Sequence, residues 1–155
     1  MTDDSDIDVQ VDQLTLRLSV RDSDAYRTCW SIRFQVKDGT RSMGYEADQV
    51  WIDNADFDGL APLLDGLHRG TVERADLPDV SGKFIEQDPG AYFVLRFVLS
   101  KDGVFEPTRD VVACTLMVRE PYIGEGDADL RLTTLLARER IPLIARAFES
   151  FPKWW

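Results

Sequence analysis

The chain contains few of the residues from which catalytic and metal centres are usually built. Its 155 residues include one histidine, His68, and two cysteines, Cys29 and Cys114. One histidine cannot form a multi-histidine metal centre, and two cysteines are too few for the disulfide framework of a small secreted domain. The sequence also has no nucleophile elbow, phosphate-binding loop, dinucleotide-binding glycine turn or Cys-x-x-Cys pair. We therefore expect no cofactor, no metal site and no enzyme activity, with both cysteines as reduced, packed thiols and His68 as a structural residue at a helix end.

Basic residues and long apolar runs are also scarce. The chain has 18 Lys and Arg against 28 Asp and Glu, which gives a net charge of -10. This charge repels phosphate backbones and anionic lipid headgroups, so neither nucleic acid nor a membrane is an expected partner. No apolar run approaches the length of about 20 residues that spans a bilayer, and the acidic N-terminus is unlike the basic start of a signal peptide. We expect a cytoplasmic protein whose partner is another protein.

The residues that are abundant predict one α+β domain. Hydrophobic residues make up 44% of the chain, enough to fill one core. Apolar and polar residues alternate as they do in strands over residues 14–20, 30–36, 41–52 and 130–134, residues 93–99 and 111–119 are apolar strand-like runs, and weaker strand signals lie over 72–77 and 83–87. Residues 93–99 are apolar on both faces, which predicts a central strand covered on both sides. We expect a twisted, mainly antiparallel sheet with two helices packed on one face.

Helical spacing predicts the two helices. Phe57 begins a stripe of apolar residues at intervals of three and four, and Gly70 is a suitable stop. The start is left open, because the helix can begin after Asp53, Asn54, Asp56 or Asp58, whereas a start at Ala61 would place Pro62 at the first helical position. A second helix is expected around residues 142–151, with a proline in its first turn.

The two ends of the chain give contrasting expectations. Residues 1–12 contain five aspartates and no basic residue, which predicts a frayed acidic tail and a folded domain over residues 13–155. Trp154 and Trp155 are expected to pack against the sheet, with an anchor for a partner as the alternative.

One segment concentrates negative charge. Between Arg41 and Arg69 there are six acids and no lysine or arginine: Glu46, Asp48, Asp53, Asp56, Asp58 and Asp65. They can be solvated surface and helix-start charge, or a docking surface for a basic partner with Tyr45, Trp51 or Phe57 as apolar anchor. The second interpretation predicts a partner-binding set of Glu46, Asp48, Trp51, Asp53, Asp56 and Asp58. A second acidic cluster, formed by Glu120, Glu125, Asp127 and Asp129, is expected to be a solvated loop.

The order of apolar segments resembles a known family. The segments at residues 14–18, 30–36, 57–67 and 92–99, followed by a closing Leu/Phe helix, are similar to those of the WapI-type immunity proteins of bacterial polymorphic toxin systems. The resemblance covers most of residues 13–151. It implies a cytoplasmic protein that binds and neutralises a cognate toxin domain, often a nuclease. Pro62, Pro142 and the Trp-Trp end depart from the family arrangement, and no family binding residues can be transferred. A non-toxin adaptor or phage-encoded inhibitor, and a carboxylate-dependent hydrolase, are the alternatives.

Overall fold

A computed structural model of the chain describes residues 6–80, 93–99, 111–120 and 128–155. Within these ranges the chain forms eight strands and two α-helices, with a short 3-10 helix before the second α-helix. The elements are β1 (Asp6–Val11), β2 (Leu14–Ser23), β3 (Arg27–Asp38), β4 (Arg41–Asp53), α1 (Asn54–Arg69), β5 (Arg74–Pro78), β6 (Phe93–Leu99), β7 (Val111–Glu120), β8 (Ala128–Ala137), the 3-10 helix (Arg138–Arg140) and α2 (Ile141–Glu149). The predicted α+β class is confirmed.

The strands form two four-stranded sheets. The N-terminal sheet has the order β1-β2-β3-β4 and the C-terminal sheet the order β5-β6-β7-β8, and every pairing is antiparallel. Val80 N–H donates to the Trp51 carbonyl at 2.8 Å, and the Gln13 side-chain amide donates to the Leu135 carbonyl at 2.8 Å. These two contacts connect the sheets at β4 and at β8. Alternation along a strand shows which face is buried but not which strands share a ladder, so the division into two sheets was not predicted.

One hydrophobic core lies between the sheets and the helices. The inner face of each sheet, meaning the face turned to this core, carries large buried residues such as Trp30 and Phe34 in β3 and Phe97 in β6. The two helices pack against each other, α1 also against β5 and α2 also against β1. The helices therefore lie on the core side of the N-terminal sheet, and its outer face is turned away from them.

The N-terminal segment is a strand over Asp6–Val11, so the prediction of a frayed tail is wrong there. Ile7, Val9 and Val11 are buried and alternate with exposed Asp8. The strand pairs with β2 from Asp6 opposite Ser19 to Val11 opposite Leu14. On the polar side of the strand Asp6 forms an ion pair with Arg17 at 2.8 Å and Asp8 is exposed to water, so these charges do not prevent the apolar residues from joining the core. Residues 1–5 lie outside the described residues.

Helix α1 begins at Asn54, directly after Asp53, which is the first of the predicted starts. Asp53 holds the N-cap position without a side-chain capping bond, and Asn54 N–H donates to the Tyr26 carbonyl at 2.8 Å. Pro62 therefore lies inside the helix, where its ring nitrogen cannot donate to the Asp58 carbonyl. The helix ends as predicted at Gly70, whose φ of 79° is in the left-handed region that glycine adopts without strain.

The remaining strand predictions are mostly confirmed. Strand β6 lies between β5 and β7, so its central position is confirmed. Its inner face is buried, and Val94, Arg96 and Val98 on the outer face are half-buried, so the outer face is covered in part. The predicted strand over residues 83–87 lies outside the described residues, and so do the side chains of the second acidic cluster, Glu120, Glu125, Asp127 and Asp129. No helix within the described ranges has the length and apolar composition needed to cross a membrane.

Candidate functional site

The six predicted partner-binding residues fall on two elements. Glu46, Asp48, Trp51 and Asp53 are on β4, whereas Asp56 and Asp58 are in the first turns of α1. Register places Glu46, Trp51 and Asp53 on the outer face of β4, opposite Arg33, Cys29 and Arg27 of β3 respectively. The structure therefore brings the β4 residues together on one face, whereas Asp56 and Asp58 belong to the helix that begins directly after β4.

Asp58 is engaged by the C-terminal segment. Its carboxylate forms an ion pair with Lys153 Nζ at 2.8 Å and accepts a hydrogen bond from Trp155 Nε1 at 3.0 Å. Trp155 also packs edge-on against Phe57, with ring centroids 5.6 Å apart. Trp155 thus packs back onto the domain, but against helix α1 rather than against the sheet as predicted, while Trp154 is 48% exposed. Asp58 therefore has an intramolecular role and is a weaker candidate for partner binding than the acids on β4.

Of the three candidate apolar anchors, Trp51 alone faces outward. Phe57 is only 1% exposed and stacks on Trp30 with ring centroids 5.2 Å apart. Phe57 is therefore a core residue, and its suggested role as a partner anchor is wrong. Tyr45 is half-buried against the core, whereas Trp51 is half-buried on the outer face, opposite Cys29.

Two β-bulges interrupt the outer face of the N-terminal sheet. On β2, Arg21 is an extra residue between Val20, which is opposite Trp30, and Asp22, which is opposite Cys29. On β4, Asp48 and Gln49 together oppose the single residue Ser31 of β3. Bulges bend a strand and redirect its side chains. Here they flank the same short stretch of β3 from both sides.

A cavity of about 570 Å³ lies at these bulges. Its lining consists of both bulges and a row of residues that crosses three strands: Arg21, Asp22, Cys29, Asp48, Gln49 and Trp51. Asp22, Cys29 and Trp51 are successive cross-strand partners, so their side chains point to the same side of the sheet. The cavity thus combines an indole, two carboxylates, an amide and one guanidinium around a thiol.

The thiol of Cys29 is a neutral part of this lining. Cys29 is 3% exposed, and burial, followed by the nearby charge of Asp22, raises the pKa of its thiol. The formal charge of the lining is therefore set by Asp22, Asp48 and Arg21, which leaves an excess of one negative charge.

Two ion pairs lie near the cavity without lining it. The Arg27 guanidinium lies 5.9 Å from the centre of the Trp51 ring and forms an ion pair with Asp24 at 2.9 Å. Backbone N–H groups of Tyr26 and Arg27 donate to Asp24, and these bonds lower the pKa of its carboxyl. Glu46 is paired with Arg33 at 3.0 Å, farther along β4. Arg27 and Glu46 do not line the cavity.

The one histidine of the chain, His68, makes contacts of a structural kind. His68 Nδ1 lies 3.3 Å from the Arg138 carbonyl, and Arg138 Nε donates to the His68 carbonyl at 2.8 Å. His68 therefore connects the end of α1 to the 3-10 helix, in agreement with the predicted helix-terminal role. In the part of the chain that the structure describes, no group of three or more His, Cys, Asp or Glu could hold a metal ion.

We expect both thiols to react slowly in the native protein. Both are free and buried, and burial raises both pKa values, so little thiolate is present at neutral pH. Alkylation by iodoacetamide at pH 7 should be at least about tenfold slower than in the denatured chain, with Cys114 slower than Cys29 because Cys114 is completely buried. Peptide mass spectrometry after timed labelling measures both rates. Reaction of native Cys29 at the denatured rate would contradict its burial.

Comparisons of this chain with protein-family models, with curated proteins and with solved structures find no match. The resemblance to WapI-type immunity proteins therefore stays a prediction, as does any partner inferred from it.

Proposed function

We propose that this domain is an immunity-type binding protein that neutralises a cognate bacterial toxin domain through the outer face of β4. The observation that carries the proposal is the position of Trp51. Its indole lies on the outer face next to a negatively charged cavity, with Asp48 and Asp53 on the same strand. A large aromatic side chain with acidic neighbours is the type of anchor that protein interfaces use against a basic partner.

The carboxylates and the indole are expected to affect different rate constants of binding. Exposed carboxylates attract a basic partner over about one Debye length, about 8 Å at physiological ionic strength, and so affect mainly the association rate. Contacts of a desolvated indole are lost only when the complex separates, so they affect mainly the dissociation rate. The net charge of -10 favours a basic partner over an acidic one.

The first experiment identifies the partner and tests neutralisation. The native protein is isolated from extract of its own cells, and the bound protein is identified and expressed alone in bacteria. A partner domain that stops growth, with growth restored when this chain is co-expressed, supports the proposal. A partner whose expression is harmless would instead favour the adaptor alternative.

The second experiment tests the surface with two variants. Replacing Asp48 and Asp53 together with Asn should slow association several-fold and flatten its dependence on salt, with a smaller change in dissociation. Asn retains the N-cap preference of Asp at position 53, so α1 should persist. Trp51→Ala should raise the dissociation rate by about 30-fold, the equivalent of a hot-spot loss of about 2 kcal/mol.

The matched control removes the same charge elsewhere. Glu139 and Glu149 are exposed and belong to the elements on the core side of the N-terminal sheet, away from the outer face of β4. Replacing both with Gln should change association much less than the Asp48 and Asp53 replacements. Equal effects of the two double variants would mean that overall charge steers the partner. Unchanged dissociation for a folded Trp51→Ala variant would remove β4 from the interface.

A further inference from the structure

We propose that the cavity between the two bulges is a receptor for an arginine side chain supplied by the protein partner. The partner as source rests on the proposed function, but the preference of the cavity for a guanidinium can be measured without any partner. The proposal stands on three features of the cavity: its charge, its aromatic wall and its construction from the backbone.

The lining of the cavity has a net charge that one bound cation would neutralise. Asp22 and Asp48 contribute two negative charges and Arg21 one positive charge, so one added guanidinium makes the site neutral. Asp22 Oδ1 already accepts the Ser23 N–H at 2.8 Å. Within the described residues, the Asp48 carboxylate has no hydrogen bond or ion pair. An incoming guanidinium could therefore bind Asp48 without breaking an existing hydrogen bond.

The aromatic wall favours a planar cation. Guanidinium groups stack on indole faces and are more weakly hydrated than ammonium groups, so they lose less on entering a partly buried site. Trp51 already has one such neighbour, since the Arg27 guanidinium is 5.9 Å from its ring centre. Arg27 does not line the cavity, so the cavity wall formed by Trp51 is open to a second group.

The sheet fixes the backbone around the cavity. Both bulges are parts of the hydrogen-bonded sheet, and Cys29 between them is 3% exposed. The backbone positions of Asp22, Asp48 and Trp51 are therefore set by the sheet rather than by a loop, while the two carboxylates are on exposed side chains. A bound ligand would have to order these side chains but not the backbone, which limits the loss of conformational entropy.

The test uses N-acetyl-L-arginine methylamide as the probe and nuclear magnetic resonance of the indole N–H groups as the readout. The Trp51 signal is assigned by its loss in a Trp51→Phe variant, which separates it from those of Trp30, Trp154 and Trp155. We expect a saturable shift of the Trp51 signal with a dissociation constant in the millimolar range, as for a single side chain. The neutral glutamine analogue should give no saturable shift, and the lysine analogue should bind at least about threefold more weakly.

Two variants locate the binding. Asp48→Asn should weaken the probe at least about fivefold, while Glu46→Gln, which removes a paired acid outside the cavity, should leave it unchanged. As a second readout, the probe should slow alkylation of Cys29 without slowing that of Cys114, because only Cys29 lines the cavity. No saturable shift, an equal response to the glutamine analogue, or equal protection of both thiols would overturn the proposal. These outcomes do not depend on a toxin partner, whereas a harmless partner would overturn the proposed function and leave the cavity's preference standing.

Discussion

Removing residues 1–11 is expected to abolish cooperative folding, because the deletion takes away β1. Ile7, Val9 and Val11 are each no more than 4% exposed, and β1 also covers part of α2. Burying three such side chains contributes about 5 to 9 kcal/mol in total, which is comparable with the whole stability of a typical domain. Urea denaturation followed by circular dichroism measures the effect. A cooperative transition close to that of the full chain would show that β1 adds little.

Single substitutions in β1 separate burial from charge. Val9→Asp should destabilise the domain strongly because it buries an unpaired carboxylate, while Asp8→Asn on the exposed side should shift the transition very little. Similar small effects of both variants would mean that β1 is peripheral to the core.

Replacing Phe57 with Ala is expected to cost about 3 to 5 kcal/mol of stability, the usual range for truncating a buried Phe. Phe57 lies at the centre of an aromatic cluster, with ring centroids 5.2 Å from Trp30, 5.3 Å from Phe148 and 5.6 Å from Phe151. Its loss leaves a cavity that these rigid rings fill poorly. Reversible denaturation of the variant and the parent chain gives the difference in free energy.

Met43→Ala is the matched control for Phe57→Ala. Met43 is a large apolar residue on β4 that is 64% exposed, so its truncation should change stability by less than about 0.5 kcal/mol. A loss below about 1 kcal/mol for Phe57→Ala would mean that Phe57 is not a core residue and is again a candidate anchor for a partner.

Local periodicity predicted most of the elements because each strand or helix buries one face. The alternation in β2, β3, β7 and β8 and the Asp38-Gly39 turn between β3 and β4 follow this rule directly. In β1 the same alternation is present, but the density of aspartates led to the prediction of a tail. Charge on the polar face of an edge strand is compatible with burial of the other face, so net charge was the wrong criterion there.

The candidate site was predictable only in part. Charge alone predicts the acids on β4, and the sequence also contains a signal for the bulge at Asp48. Tyr45 and Ala47 face the core, and so do Val50 and Ile52, so the apolar positions change from odd to even numbers between them. Such a change of parity within one strand indicates an extra residue. The engagement of Asp58 by Trp155 joins residues 97 positions apart, and no local pattern predicts it.

The amide of Gln13 has a consequence for self-association. In the described part of the chain β8 pairs on one side with β7, so its other side presents backbone groups to which a strand of another molecule could add. Gln13 donates to the Leu135 carbonyl and so occupies one of these acceptors. The turn between β1 and β2 thereby obstructs strand addition at β8, where exposed Leu135 would otherwise favour it. A single side chain from this turn therefore reduces the number of backbone groups that β8 can offer to a strand of another molecule.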